Sequence, residues 1–263
     1  MMQKPGRFRL KVLFAGAALL ILGCLPDLCT GQSLEAAAKL NEKVSQLYRQ
    51  GRYQEAISAA KRSLAIREKV LGPDHPGVAT SLNSLAGLYY SLGDYSKARP
   101  LLKRALAIDE KAYGKDHPDV ATDLNNQAEL YRVLGDYSKA EPLYKRSLAI
   151  FEKAFGPDHP SVAASLNNLA GLYCFFGDYA RAETMHKRSL AIREKALGPD
   201  HPDVAASLND LAFLYLADGR TGNALNIFKK QDTSSAGLGA YYLARSNYSK
   251  TEKDFQKSLS RNS

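Results

Sequence analysis

Apolar residues recur at Leu82, Leu85, Ala86 and Tyr89, the i, i+3, i+4 and i+7 positions that line one stripe of a helix. Gly93-Asp94 interrupts the stripe, and Asp94 or Ser96 is placed to cap a second helix. Another stripe, Ala98, Leu102, Ala105, Leu106 and Ile108, predicts that partner helix. Gly114 ends it, and His117-Pro118 opens the next, with proline suited to the first helical turn. The block is a hairpin of two amphipathic helices, with the small Ala86, Ala98 and Ala105 where the helices must approach closely.

The same pattern returns every 42 residues. Gly-Asp-Tyr begins at Gly93, Gly135 and Gly177, flanked by variants at Gly51 and Gly219, and His-Pro recurs at His75, His117, His159 and His201. One hairpin cannot bury its apolar face, but stacked hairpins can, so a fixed period of this length predicts an all-α solenoid. The period divides the chain into units at 33–74, 75–116, 117–158 and 159–200, and a truncated fifth at 201–232. Residues 233–263, with Leu238, Tyr242, Tyr248 and Phe255 on a loose version of the pattern, read either as a degenerate capping repeat or as a polar tail.

Leu166, Leu169, Ala170, Tyr173, Gly177, Ala182 and Ser189 together resemble the tetratricopeptide repeat. The unit length and the wording from LNNLA through GDY to GPDHP resemble the kinesin light chain subtype, nearly throughout in units two to four and in part in units one and five. That resemblance implies a right-handed superhelical array of helical hairpins serving as a non-enzymatic protein-binding scaffold. An export-like leader stands before the repeats instead of a long heptad region, so a motor-associated role is not expected.

Asn83, Asn125, Asn167 and Asn209 occupy one place in successive first helices, about 100° round from Leu82 and its equivalents and off the buried stripe. With Asn126, Asn168, Tyr90, Arg132, Phe175 and Phe213 they form a second face. The resemblance implies that this face lines a concave groove in which Asn bonds the backbone of an extended peptide. A side-chain amide offers both donor and acceptor, so it can hold a peptide bond without reading sequence. The competing reading gives these residues to neighbouring repeats or to water. Four net hydrogen bonds at about 1 kcal/mol each yield only millimolar affinity, so side-chain contacts are needed as well. Tyr90, Val133, Phe175, Phe213 and Leu216 would supply apolar ones, and Arg132 would meet an acidic ligand residue.

Charge adds a leader to this picture. Of the formal +9, Lys4, Arg7, Arg9 and Lys11 against Asp27 account for +3, leaving +6 on the remaining residues, too mild to indicate a nucleic-acid partner. This basic start and the apolar run from Val12 to Leu25 read as a signal peptide over 1–32, the run being shorter than the roughly 20 residues of a membrane span. The alternative is lipoprotein processing after about residue 23, with Cys24 lipidated. Either route predicts an exported protein, periplasmic, secreted or envelope-associated, with membrane contact only through a lipid at Cys24. The second route carries an alternative function, a lipid-anchored structural subunit of an envelope assembly.

Other chemistry is sparse. Cys174 is the single repeat cysteine, either a small apolar helix residue or a reactive thiol, and the one His per turn lacks a second ligand at metal spacing. His186, in place of Tyr144, reads as a packing residue. The pairs Lys61-Arg62, Lys103-Arg104, Lys145-Arg146 and Lys187-Arg188 form a ladder, but Glu68, Glu110, Glu152 and Glu194 come after them. That mixture reads as solvated surface, with an anionic partner as the alternative. No nucleophile elbow, phosphate loop, zinc signature or dinucleotide fingerprint occurs, so neither an enzyme nor a cofactor is expected.

Overall fold

A computed structural model describes residues 31–230, all of whose regular elements are helices. The helices are α1 (31–49), α2 (Tyr53–Leu71), α3 (Pro76–Ser91), α4 (Tyr95–Tyr113), α5 (Pro118–Val133), α6 (Tyr137–Phe155), α7 (Pro160–Phe175), α8 (Tyr179–Leu197), α9 (Pro202–Ala217) and α10 (Thr221–Lys230). The leader with Cys24 and the expected tail repeat lie outside the described residues. The chain forms two compact units, one ending at Ala112 and the other starting at Tyr113.

The α5–α6 and α7–α8 hairpins each pair a 16-residue helix with a 19-residue one, and the turns explain both lengths. At the short turn Gly177 takes φ +72°, its N–H reaches the Cys174 carbonyl, and the Asp178 N–H reaches that of Tyr173. These two bonds make a Schellman motif, which needs the left-handed residue that glycine supplies at least cost. Asp178 then caps α8, accepting from the Arg181 N–H at 3.1 Å. In the first unit Asp94 does the same for Lys97 at 3.3 Å, while Ser96 donates to Asp94, so the cap is Asp94.

The His-Pro turns hold a cap of a different kind. Nδ1 of His75, His117, His159 and His201 accepts the N–H two residues on, at 3.0, 3.2, 3.2 and 3.1 Å. Each imidazole therefore satisfies one of the otherwise unpaired donors at a helix start, with proline at the next position. The Asp before His75, His117 and His159 serves the next repeat. Asp74 pairs with Lys111 at 2.5 Å in the first unit, and Asp116 with Lys153 and Asp158 with Lys195 at 2.8 and 2.6 Å in the second.

In the first unit Leu82, Ala86, Ala98 and Ala105 are buried, as their stripes predict, and so are Ala56 and Ala60 of α2. Ser63 donates to the Ala37 carbonyl at 3.0 Å, and Arg67 reaches the Gly77 carbonyl and Ser81 hydroxyl, both at 3.1 Å. In the second unit the core runs through Ala128, Tyr144, Leu169, Tyr173, Leu211 and Phe228. Ser147 and Ser189 bond the Ala121 and Ala163 carbonyls, each at 2.7 Å. These serines let two helices touch without leaving a buried carbonyl short of a second partner.

Three of the four arginines of the basic ladder are spent internally. Arg104 pairs with Glu68 at 2.5 Å and bonds the Pro73 carbonyl, and Arg188 pairs with Glu152 at 2.7 Å and bonds the Pro157 carbonyl. Arg146 donates to the Lys115 carbonyl at 2.9 Å. Among the described residues no helix is long and apolar enough to cross a membrane.

A candidate peptide groove in the second unit

Helices α5, α7 and α9 present their second faces to one cavity of about 550 Å³ in the second unit. Asn125, Asn126, Asn167, Asn168, Arg132, Phe175 and Phe213 all line it. The 42-residue repeat stacks equivalent positions, so residues far apart in sequence share one wall. Asn209 is on α9 but does not line this cavity, and Asn83 and Tyr90 belong to the first unit, where the Tyr90 ring packs 5.5 Å from Tyr95. A separate first-unit cavity of about 520 Å³ is lined by Tyr48, Arg49, Ser84 and Gly87 among others.

Three of the four asparagines on this wall are already bonded to neighbouring repeats. Asn168 Nδ2 donates to Asn125 Oδ1 at 3.2 Å, and one repeat further on Asn167 Nδ2 donates to Asp210 Oδ2 at 2.8 Å. Asn167 Oδ1 lies 2.8 Å from Nδ1 of His186, a buried α8 residue that also borders the cavity. Burial, opposed by Asp210, holds the His186 pKa below its ordinary value, so the ring is neutral, and the Asn167 oxygen, an acceptor, selects the tautomer whose Nδ1–H donates to it. His186 thus orients an amide as well as packing. The residue equivalent to His186 in the next repeat is Phe228, which has no donor, and the enclosed Asn209 Oδ1 has no hydrogen-bond partner among the described residues.

Arg132 does not wait for an acidic ligand. Its Nε and Nη2 donate to Glu129 at 2.8 and 2.6 Å, and Tyr144 donates its hydroxyl to the same carboxylate at 2.7 Å. Burial, then Glu129, push the Tyr144 hydroxyl far above its usual range, so it stays a donor. The i, i+3 spacing of Glu129 and Arg132 on α5 was the sequence signal for this pair. Phe175 and Phe213 remain 60% and 52% exposed, large apolar surfaces that a folded chain ordinarily covers. Phe175 stacks on Tyr137 at 5.6 Å, with the Arg132 guanidinium 5.5 Å from its ring.

Cys174 borders the cavity half-buried as a free thiol, and burial, with Asp210 adding, raises its pKa, which favours the unreactive form. Among the described residues no cluster of His, Cys, Asp or Glu could hold a metal ion.

This wall of stacked hairpins coincides with the tetratricopeptide repeat family model, which matches residues 35–111, 99–153, 122–195 and 161–230. The chain belongs to the tetratricopeptide repeat family. Among solved structures it is similar to the TPR-like repeats of a candidate kinesin light chain from Podosopora anserina, at 27% identity and TM-score 0.61 over 82% of this chain and 96% of that one. It is also similar to BtubC (BKLC) from P. vanneervenii, at 27% identity and TM-score 0.63 over 81% and 91% of the two chains. A Rap protein complexed with Competence and Sporulation Factor shares the fold alone, at 19% identity and TM-score 0.63 over 74% of this chain and 52% of that one. No curated protein sequence matches. Repeats of this fold suit a protein-interaction scaffold, and the kinesin light chain-like character of the units is confirmed by these neighbours.

Proposed function

We propose that the second unit binds an extended segment of a partner protein along α5, α7 and α9, and that the chain is a non-enzymatic scaffold. The observation that carries this reading is the joining of amides and exposed aromatics in one cavity, with Asn126, Asn168 and Asn125 beside Phe175 and Phe213. The amides suit a peptide backbone, and the rings give the apolar area that hydrogen bonds alone lack. The Asn168–Asn125 bond would be exchanged for bonds to the incoming chain, so net gain rests mainly on Phe175 and Phe213.

Export belongs to the same reading, on the strength of the basic and apolar leader from Lys4 to Leu25. The test is crosslinked capture from native envelope extract by the wild-type chain and by an Asn126→Ala, Phe175→Ala double variant, with crosslinks mapped to residues. Crosslinks on α5, α7 and α9 that vanish in the variant support the reading. Equal capture by both, or crosslinks confined to the outer helices, would overturn it.

A further inference from the structure

Within that cavity the charges do not balance. Among the described residues Arg132 is the sole cation on its wall, and it is closed onto Glu129 by two hydrogen bonds. Among the described residues Asp210 is the remaining charge on that wall, and its single hydrogen bond there is from the neutral amide of Asn167 to Oδ2. No lysine, arginine or histidine among the described residues lies within ion-pairing distance of it, and Oδ1 is left as an acceptor. The cavity therefore carries a net negative charge at its α9 end. Asp210 and Phe213 are three residues apart on α9, so they are neighbours on one helix face. An exposed ring beside a half-buried, cation-free carboxylate is suited to a long basic side chain, which can lay its stem and planar head on the ring while the head donates to the carboxylate.

We infer that the α9 end of the groove is a subsite for an arginine side chain of the bound segment, held between the Asp210 carboxylate and the Phe213 ring. The inference rests on the peptide-groove reading and reverses the acidic preference that Arg132 suggested from sequence. Asn167 and His186 act as positioning residues: His186 fixes the Asn167 amide, and that amide fixes Oδ2 of Asp210. Arginine is preferred to lysine because a planar guanidinium can both stack and donate from two nitrogens.

The test uses the full chain and fluorescein-labelled, otherwise randomised decapeptide pools in which one central position is fixed as Arg, Lys, Gln or Glu. Anisotropy titrations at physiological ionic strength should rank Arg tightest and Glu weakest, with Arg over Gln by about tenfold, or ~1.4 kcal/mol. Asp210→Asn keeps an oxygen for Asn167 and should level the Arg and Gln pools, and Asp210→Lys should bring the Glu pool to the front. Thermal melts report whether each variant is folded, and Asp210→Asn carries the test if the reversal unfolds. Equal binding of the Arg and Gln pools, with binding still lost in Phe175→Ala, overturns the arginine subsite and leaves the groove standing. An Arg preference that survives Asp210→Asn overturns the assignment to Asp210. Failure of every pool to bind overturns both readings.

Discussion

Nδ1 of His186 sits 2.8 Å from Oδ1 of Asn167, joining the second helix of one repeat to the groove face of its first. The bond turns Asn167 from a free reader of ligands into a part of the scaffold. Replacing Asn167 with Ala leaves a buried imidazole N–H without an acceptor and removes the donor to Asp210, a loss of about 1–3 kcal/mol. Asn126 makes no such bond within the described residues, so Asn126→Ala should leave the melting curve nearly unchanged. Paired chemical denaturation of the two variants checks this, and equal stabilities would show that the His186 bond contributes nothing.

The same histidine ties stability to pH. Its folded pKa is depressed by burial, so the unfolded chain binds the proton more readily than the folded one. Its contribution is then complete above the unfolded value of about 6.5 and declines as pH falls through that value toward the folded one. His186→Phe, which reproduces the residue at position 228, should lower stability at neutral pH by about 1 kcal/mol through the orphaned Asn167 oxygen. It should also flatten the stability profile just below a pH of about 6.5 relative to wild type. Denaturation midpoints measured across that range decide it, and parallel profiles would assign the acid sensitivity elsewhere.

Most of the fold was legible because repetition averages out local ambiguity. The stripe through Leu82, Leu85, Ala86 and Tyr89 recurs in four first helices, broken only by Gln127 in α5, and in α3 and α7 every member of it is buried. The groove face was legible too, since Asn125, Asn167, Phe175 and Phe213 come from the same helical arithmetic. The satisfaction of that face could not be read. The Asn168–Asn125 bond spans 43 residues and the His186–Asn167 bond 19, separations that acquire meaning only once hairpins stack. That each His-Pro turn holds a capped helix start was legible, but that the imidazole itself is the cap was hidden for a different reason. Imidazole is an uncommon capping acceptor, and nothing but the turn geometry shows that Nδ1 faces the N–H two residues on.

Two glycines predict opposite outcomes for one substitution. Gly198 takes φ +86° and ψ 158°, a region essentially reserved for glycine, while an added Cβ there would meet nothing within 4 Å. Gly198→Ala should therefore cost about 1–3 kcal/mol from backbone strain alone. Gly87 lies within α3 and also has open space for a Cβ. Gly87→Ala should stabilise the chain by roughly 0.5–1 kcal/mol, because alanine loses less entropy in a helix. Calorimetric melts of the two variants should move in opposite directions, and a common direction would mean that packing, not backbone conformation, sets the effect.

Glu183 predicts a second acid-sensitive step at lower pH. Lys187 approaches its carboxylate at 2.6 Å, Arg220 at 2.7 Å, and the Tyr215 hydroxyl donates to it at 2.9 Å. The lysine bond leads in holding its pKa down to about 2, with Arg220 and Tyr215 adding and partial burial opposing. A depressed carboxylate contributes stability that is complete above its unfolded value near 4.5 and is lost as pH falls toward 2. Glu183→Gln retains an acceptor for Tyr215 but removes the charge shared by the two cations. At neutral pH the variant should be less stable by on the order of 1 kcal/mol, since solvent screens part of a surface-adjacent pair. The gap should narrow steadily below pH 4.5 and close near pH 2, the opposite of what a lost packing contact would do. Added salt should narrow it at neutral pH as well, because the lysine and arginine heads remain partly in water. A gap that stays constant with both pH and salt would show that the three-way contact at Glu183 is not electrostatic in origin.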